Sequence, residues 1–201
     1  QMASWVSGFF GSGKSSFAKL LGIAIENRDL EGTPAGRRIA QKFHDSRTDV
    51  VLSTIGEKLP SEVVIFDLAT DAGVRNSDQK LTEIIYRQLL EHLGYAKDLD
   101  LAELEIGLEE DGALEQFRQA FLEHIGKEWD TRKSMTAFAM SEASRVLHEM
   151  DAANYPAADS WAKSARNRFD LSANDLAERS VKLLSRRRGE RRLVFVIDEA
   201  G

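Results

Sequence analysis

The residues best suited to chemistry lie close to the start of the chain, in "WVSGFFGSGKSSFAKLLGIAIENR" (Trp5 to Arg28). Gly8, Gly13, Lys14 and Ser15 fall at the spacing G-x-x-x-x-G-K-[ST], that of a phosphate-binding P-loop. Glycines let a backbone take positive φ and bring several N–H groups toward phosphate oxygens, and a helix starting near Lys14 adds its positive end. The candidate nucleotide contacts are therefore Gly8, Gly11, Ser12, Gly13, Lys14, Ser15 and Ser16. Lys14 would reach the β- and γ-phosphates, a catalytic role, and the Ser15 hydroxyl would bind Mg²⁺.

The second chemical stretch is "RRLVFVIDEAG", Arg191 to Gly201. Leu193 to Ile197 is a continuous apolar run suited to a strand buried on both faces of a parallel sheet, and it delivers Asp198 and Glu199 at its carboxyl end. Asp198 reads as the Walker B metal ligand, and Glu199 as the catalytic acid that orients or deprotonates the attacking water. The cofactors expected are ATP and Mg²⁺. No guanine-specifying N/T-K-x-D stretch is present.

Elements must position these groups. Ala3 to Val6 is predicted to be a short strand entering the loop, and Phe17, Ala18, Leu20, Leu21, Ala24 and Ile25 recur at helical spacing after it. Short helices are predicted over Arg37 to Phe43 and Thr48 to Lys58, and "EVVIFDL" (Glu62 to Leu68) reads as a middle strand. From Ala69 to Gly189 helical patterns dominate. Ser77 or Asp78 could cap a helix carrying Leu81 to Leu93 and stopped by Gly94, and Leu114 to Ile125 makes an amphipathic stripe ended by Gly126. Further helices are predicted over Met135 to Met150, Ala158 to Arg168 and Ser172 to Arg188. The expected organisation is 1–68 as the first part of the core, 69–190 as a helical insertion, and 191–201 as the Walker B strand. Packing accounts for Trp129, Phe138, Met140 and Trp161 in that insertion.

Composition sets bounds. The chain has 201 residues, is 42% hydrophobic and carries a net charge of -6, enough to bury a core and without broad attraction to nucleic acid. Cysteine is absent, which excludes disulfides and thiolate metal sites; His44, His92, His124 and His148 lack ligand spacing. No apolar run approaches the ~20 residues that span a bilayer, and no signal peptide precedes the first strand, so a cytoplasmic protein is expected. Charge is uneven: Asp98 to Gln116 holds eight acidic residues and no basic one, whereas "SRRRGERR" (Ser185 to Arg192) holds five arginines. That cluster suits either a solvated helix end or contact with nucleic-acid phosphates or an acidic partner, and an arginine finger acting on a neighbouring copy is a further use.

The intervening strand and the adjacent Glu199 resemble the additional-strand class of P-loop NTPases, which includes AAA+ and STAND ATPases. The resemblance implies an α/β fold with a parallel sheet in which the P-loop and Walker B strands are separated by a strand that follows Walker B. The chain opens on Gln1 and closes on Gly201, so an incomplete piece of a longer chain is expected. "WVSGFFGSGKS", "KLPSEVVIFDLAT" and the closing "VFVIDEAG" are moreover similar to the P-loop protein family of BREX phage-defence systems (BrxC/PglY). This implies a large bacterial cytoplasmic ATPase acting with other BREX components, a methyltransferase among them, on host DNA. Two alternatives of different class are a nucleotide-dependent assembly switch with little hydrolysis and a P-loop small-molecule kinase.

Overall fold

In the computed structural model, residues 3–9, 11–43, 45–68, 81–165 and 171–198 are described. Helix α1 (Lys14–Glu26) begins directly after Gly13 and ends at Asn27, whose left-handed backbone (φ 53°) turns the chain. The Asn27 side chain completes that turn, its Oδ1 accepting from the Gly36 N–H at 2.9 Å. A two-residue hairpin, β1 (Asp29–Leu30) with β2 (Thr33–Pro34), follows, and leads into α2 (Ala35–Phe43) and α3 (Ser46–Lys58). Asp45 caps α3 by accepting from the N–H groups of Arg47 and Thr48, and the Thr48 hydroxyl adds a third bond at 2.7 Å. These bonds to the ionised form hold the Asp45 carboxyl below its usual range. Ala24, Ala40 and Leu52 form the small apolar centre where α1, α2 and α3 meet.

Strands β3 (Ser61–Asp67) and β4 (Arg192–Asp198) pair in parallel, from Ser61 opposite Arg192 to Asp67 opposite Asp198. Val63, Val64 and Phe66 are buried, as expected of an apolar strand covered on both faces. Phe66 and Phe195 meet edge to face, 6.5 Å between ring centres. Helix α10 (Ala173–Arg188) packs against β4. The fold is thus mixed α/β, mostly helical, with a small parallel sheet of β3 and β4.

The strand expected at Ala3–Val6 is not formed. Residues 3–9 have no regular structure, Trp5 and Val6 are exposed, and β4 pairs only with β3 among the described residues. A strand exists only where a neighbour completes its backbone hydrogen bonds, and no described strand does so for this segment. The apolar stripe expected on α1 is met only in part: Ala24 is buried, together with Gly22, whereas Phe17, Leu20 and Leu21 are 52%, 51% and 40% exposed.

The chain divides into two compact units, residues 1–84 with 173–201, and residues 85–172. Most of α4 (Leu81–His92) and then α5 (Leu99–Glu110), α6 (Leu114–Ile125), α7 (Trp129–Arg132), α8 (Thr136–Met150) and α9 (Ser160–Ser164) build the second unit. Its centre is aromatic: Trp129 packs edge-on against Phe117 and Phe121, ring centres 5.1 and 5.0 Å away. Phe138, expected to pack inside, is 59% exposed, with the Arg132 guanidinium 4.7 Å from its ring centre.

The acidic stretch after Lys97 is mostly structural. Asp98 caps α5, and Glu105, 1% exposed, accepts from the Ala96 N–H, the Trp129 indole N–H (2.8 Å) and the Lys133 ammonium (3.1 Å). Lys133 also donates to the Gly94 carbonyl at 2.7 Å and to Asp130 at 2.6 Å, so the buried carboxylate and its cation are both saturated. The Tyr95 and Tyr86 hydroxyls donate to Glu109 and Glu103 respectively. Burial, reinforced by the charge of Asp98, raises the carboxyl of Asp100 above its ordinary range.

Candidate functional site

Helix α1 places three residues of different kinds on one stripe facing β4: Ser15, Lys19 and Gly22, at i, i+4 and i+7. Gly22 sets the distance of approach. A Cβ there would stand 3.0 Å from Val196 Cγ2, 3.1 Å from Val63 Cγ1 and 3.3 Å from Ile65 Cδ1, so only glycine lets the helix lie this close to the strands. The close seat brings the helix start to the carboxyl end of β4, where the strand delivers Asp198. The Ser15 hydroxyl donates to Asp198 Oδ1 at 2.9 Å, joining residues 183 positions apart. Lys19 Nζ stands 3.2 Å from Asp198 Oδ2, and the Asp198 side chain is 14% exposed. Each oxygen of this carboxylate thus has a partner on α1.

The loop before the helix is built from close backbone turns. Gly11 and Gly13 take φ of 77° and 83°, where a side chain would strain the backbone and where a Cβ would meet nothing within 4 Å. Gly8 lies under Ser12, with its absent Cβ only 2.9 Å from Ser12 Oγ, and the Ser12 N–H donates to the Phe9 carbonyl at 3.2 Å. Lys14 curls back over this loop, its ammonium donating to the carbonyls of Gly8 and Phe9 at 2.9 Å each. Among the described residues no side chain caps the start of α1, and its first turn holds no acid. The amides of Lys14, Ser15 and Ser16 and the positive helix end therefore face the loop without a side-chain cap, the arrangement that binds phosphate.

The donor set fits the expected ligands. Ser15 Oγ and Asp198 Oδ1 are hard oxygens side by side, the kind Mg²⁺ takes, and uncapped amides with Lys14 fit a phosphate chain. Gly8, Gly11, Ser12, Gly13, Lys14, Ser15 and Ser16 are contiguous with this junction, and Asp198 joins them from the other end of the chain. Glu199 lies outside the described residues. The alignment also puts Asp67 opposite Asp198 at the carboxyl ends of the pair, a placement that motif reading alone passed over. The Lys19 contact was likewise missed, although its position four residues after Ser15 was a signal for it.

The arginine cluster lies elsewhere. Arg188 Nε is 3.2 Å from Glu62 Oε1 and Arg191 is 3.7 Å from Glu62 Oε2, at the amino ends of β3 and β4. Six residues of strand, roughly 20 Å, separate that end from Asp198. Two of the five arginines thus fasten α10 and the start of β4 to a buried glutamate. His44 lies outside the described residues. Among those described, no group of three His, Cys, Asp or Glu side chains could hold a metal, and His148 instead meets the Tyr155 carbonyl at 2.6 Å. No helix among the described residues is long and apolar enough to cross a membrane.

No protein-family model matches the chain, and no solved structure matches it.

Proposed function

We propose that the first unit is a nucleotide-handling module that binds ATP with Mg²⁺ and hydrolyses it. The observation that carries this reading is the 2.9 Å hydrogen bond from Ser15 to Asp198 Oδ1, which joins the two chemical stretches from opposite ends of the chain. Lys14 exchanges the Gly8 and Phe9 carbonyls for β- and γ-phosphate oxygens, and the amides that open α1 bind the same phosphates. Ser15 and Asp198 would hold the Mg²⁺, which would neutralise charge on the phosphates. Glu199 orients the attacking water and takes its proton. Catalysis in this account is positioning and charge neutralisation.

The similarity of the loop, the middle strand and the closing strand to BREX P-loop proteins supports a wider setting. In it the module belongs to a large cytoplasmic phage-defence ATPase, works with other BREX components, and uses its cycle to switch or drive a DNA-associated complex. DNA contact would come through that complex. Action of an arginine on a neighbouring copy would make the working form a homo-oligomer.

The test is Mg²⁺-ATP binding and turnover in the protein, in Lys14→Ala and in Glu199→Gln. Expected are loss of nucleotide binding in Lys14→Ala, and binding without turnover in Glu199→Gln. Unchanged turnover in Glu199→Gln would remove the catalytic role of Glu199, and nucleotide binding with little turnover by the protein itself would transfer the reading to an assembly switch.

A further inference from the structure

Asp198 has two carboxylate oxygens and two partners on the same helix, and the partners differ in kind. On Oδ1 is the Ser15 hydroxyl at 2.9 Å, a neutral oxygen that can share a divalent cation with it. On Oδ2 is the Lys19 ammonium at 3.2 Å, a full positive charge. The spacing of Ser15 and Lys19, one helical turn apart, and the close seat at Gly22 hold both partners on the same carboxylate. Lys19 is 47% exposed while Asp198 is 14% exposed, so the lysine has solvent to move into and the carboxylate does not.

We infer that Lys19 sets the divalent-cation affinity of the nucleotide site by competing, through Asp198 Oδ2, for the carboxylate that the metal needs. This rests on the reading of the Ser15–Asp198 junction as the metal site. A cation at Oδ1 meets the lysine charge across a single carboxylate, and the repulsion weakens its binding. Lys19 is not a catalytic residue in this account. It acts through Asp198, and the consequence is a site that loads and releases its metal over a chosen concentration range instead of holding it permanently. A half-exposed ion pair is weak enough to yield when metal and phosphate arrive together.

The test is metal binding read without turnover. Mn²⁺ is titrated into the protein with ATP present and followed by electron paramagnetic resonance, in wild type, Lys19→Met and Lys19→Arg. Lys19→Met keeps the aliphatic stem and removes the charge, and is expected to bind Mn²⁺ about three- to fivefold more tightly, the range of a partly exposed pair. Lys19→Arg, which keeps the charge, is expected to stay near wild type. ATP binding in the presence of EDTA is expected to be the same in all three. Equal or weaker Mn²⁺ binding by Lys19→Met, with wild type binding normally, overturns the role of Lys19 and leaves the nucleotide reading intact. If wild type and Lys14→Ala both bind no Mn²⁺-ATP, the nucleotide reading falls and this inference falls with it.

Discussion

Each unit contains a lysine–carboxylate pair of nearly the same length: Lys19 with Asp198 at 3.2 Å, and Lys133 with Glu105 at 3.1 Å. Their surroundings are opposite. Glu105 is 1% exposed and its lysine 12%, and both are saturated by an indole N–H, a backbone N–H, a carbonyl and a second carboxylate. Asp198 and Lys19 stand at a sheet end, with the lysine half in water. Distance alone would rank the two pairs together, but burial and saturation separate them. The inner pair is a fixed staple among α5, α7 and the turn at Gly94, because neither partner can find a substitute inside the unit. The outer pair can change partners at little cost, which is what a ligand site requires.

The comparison breaks most visibly at Glu105. Glu105→Leu keeps the volume but strands the Trp129 indole N–H and the Ala96 N–H, and leaves the nearly buried Lys133 with Asp130 as its one carboxylate among the described residues. Urea unfolding is expected to show a loss of about 3 kcal/mol. Lys19→Met, by the same measurement, is expected to cost less than about 1 kcal/mol. Equal losses would remove the distinction between staple and exchangeable pair.

A substitution at Gly22 sharpens the comparison from the other side, because the exchangeable pair exists only while α1 lies close to β4. Gly22→Val puts two methyls beyond a Cβ that already stands 3.0 to 3.3 Å from Val196, Val63 and Ile65. About 2 kcal/mol of stability should be lost in urea unfolding. Mg²⁺-ATP affinity should fall with it, since the helix lifts Ser15 away from Asp198.

The smallest effect concerns pH in the second unit. Arg132 grips Glu142 with two bonds of 2.6 Å, and these bonds hold the Glu142 carboxyl below its usual range. A depressed folded-state pKa means that the pair's stabilisation is present above the unfolded value, about 4.3, and is lost as pH falls through the folded one. Thermal unfolding of wild type should therefore lose stability as the pH drops below about 4, and Glu142→Gln should flatten that part of the profile.

Much of the candidate site was legible in the sequence because it is written into spacing: the residues at Gly8, Gly13, Lys14 and Ser15 needed only a helix start, and α1 begins at Lys14. The apolar runs at β3 and β4 were equally plain. The Ser15–Asp198 contact followed from the two motifs, but Lys19 and Asp67 did not, because their placement depends on helix phase and on strand alignment rather than on a motif. Leu20 and Leu21 misled in the same way. They fit the apolar period of α1, yet the helix turns Gly22 to the sheet, a choice made by close packing that hydrophobicity does not register. Helix α5 was missed because Leu99, Leu101, Ala102, Leu104, Glu105 and Ile106 are all buried, leaving no one-sided stripe to read, and its buried acid resembled a surface charge run. The strand expected at Ala3–Val6 failed for another reason: local composition favours it, but strand formation depends on a neighbour, and none is present among the described residues.

The most direct measurement is the affinity for Mg²⁺-ATP of wild type against Lys14→Ala, by calorimetry on the protein. The account predicts that wild type binds and that Lys14→Ala loses the interaction, because the lysine now resting on the Gly8 and Phe9 carbonyls is the one that reaches the phosphates. Equal affinity in the two proteins, or no binding by wild type, would contradict the assignment of this loop as a nucleotide site.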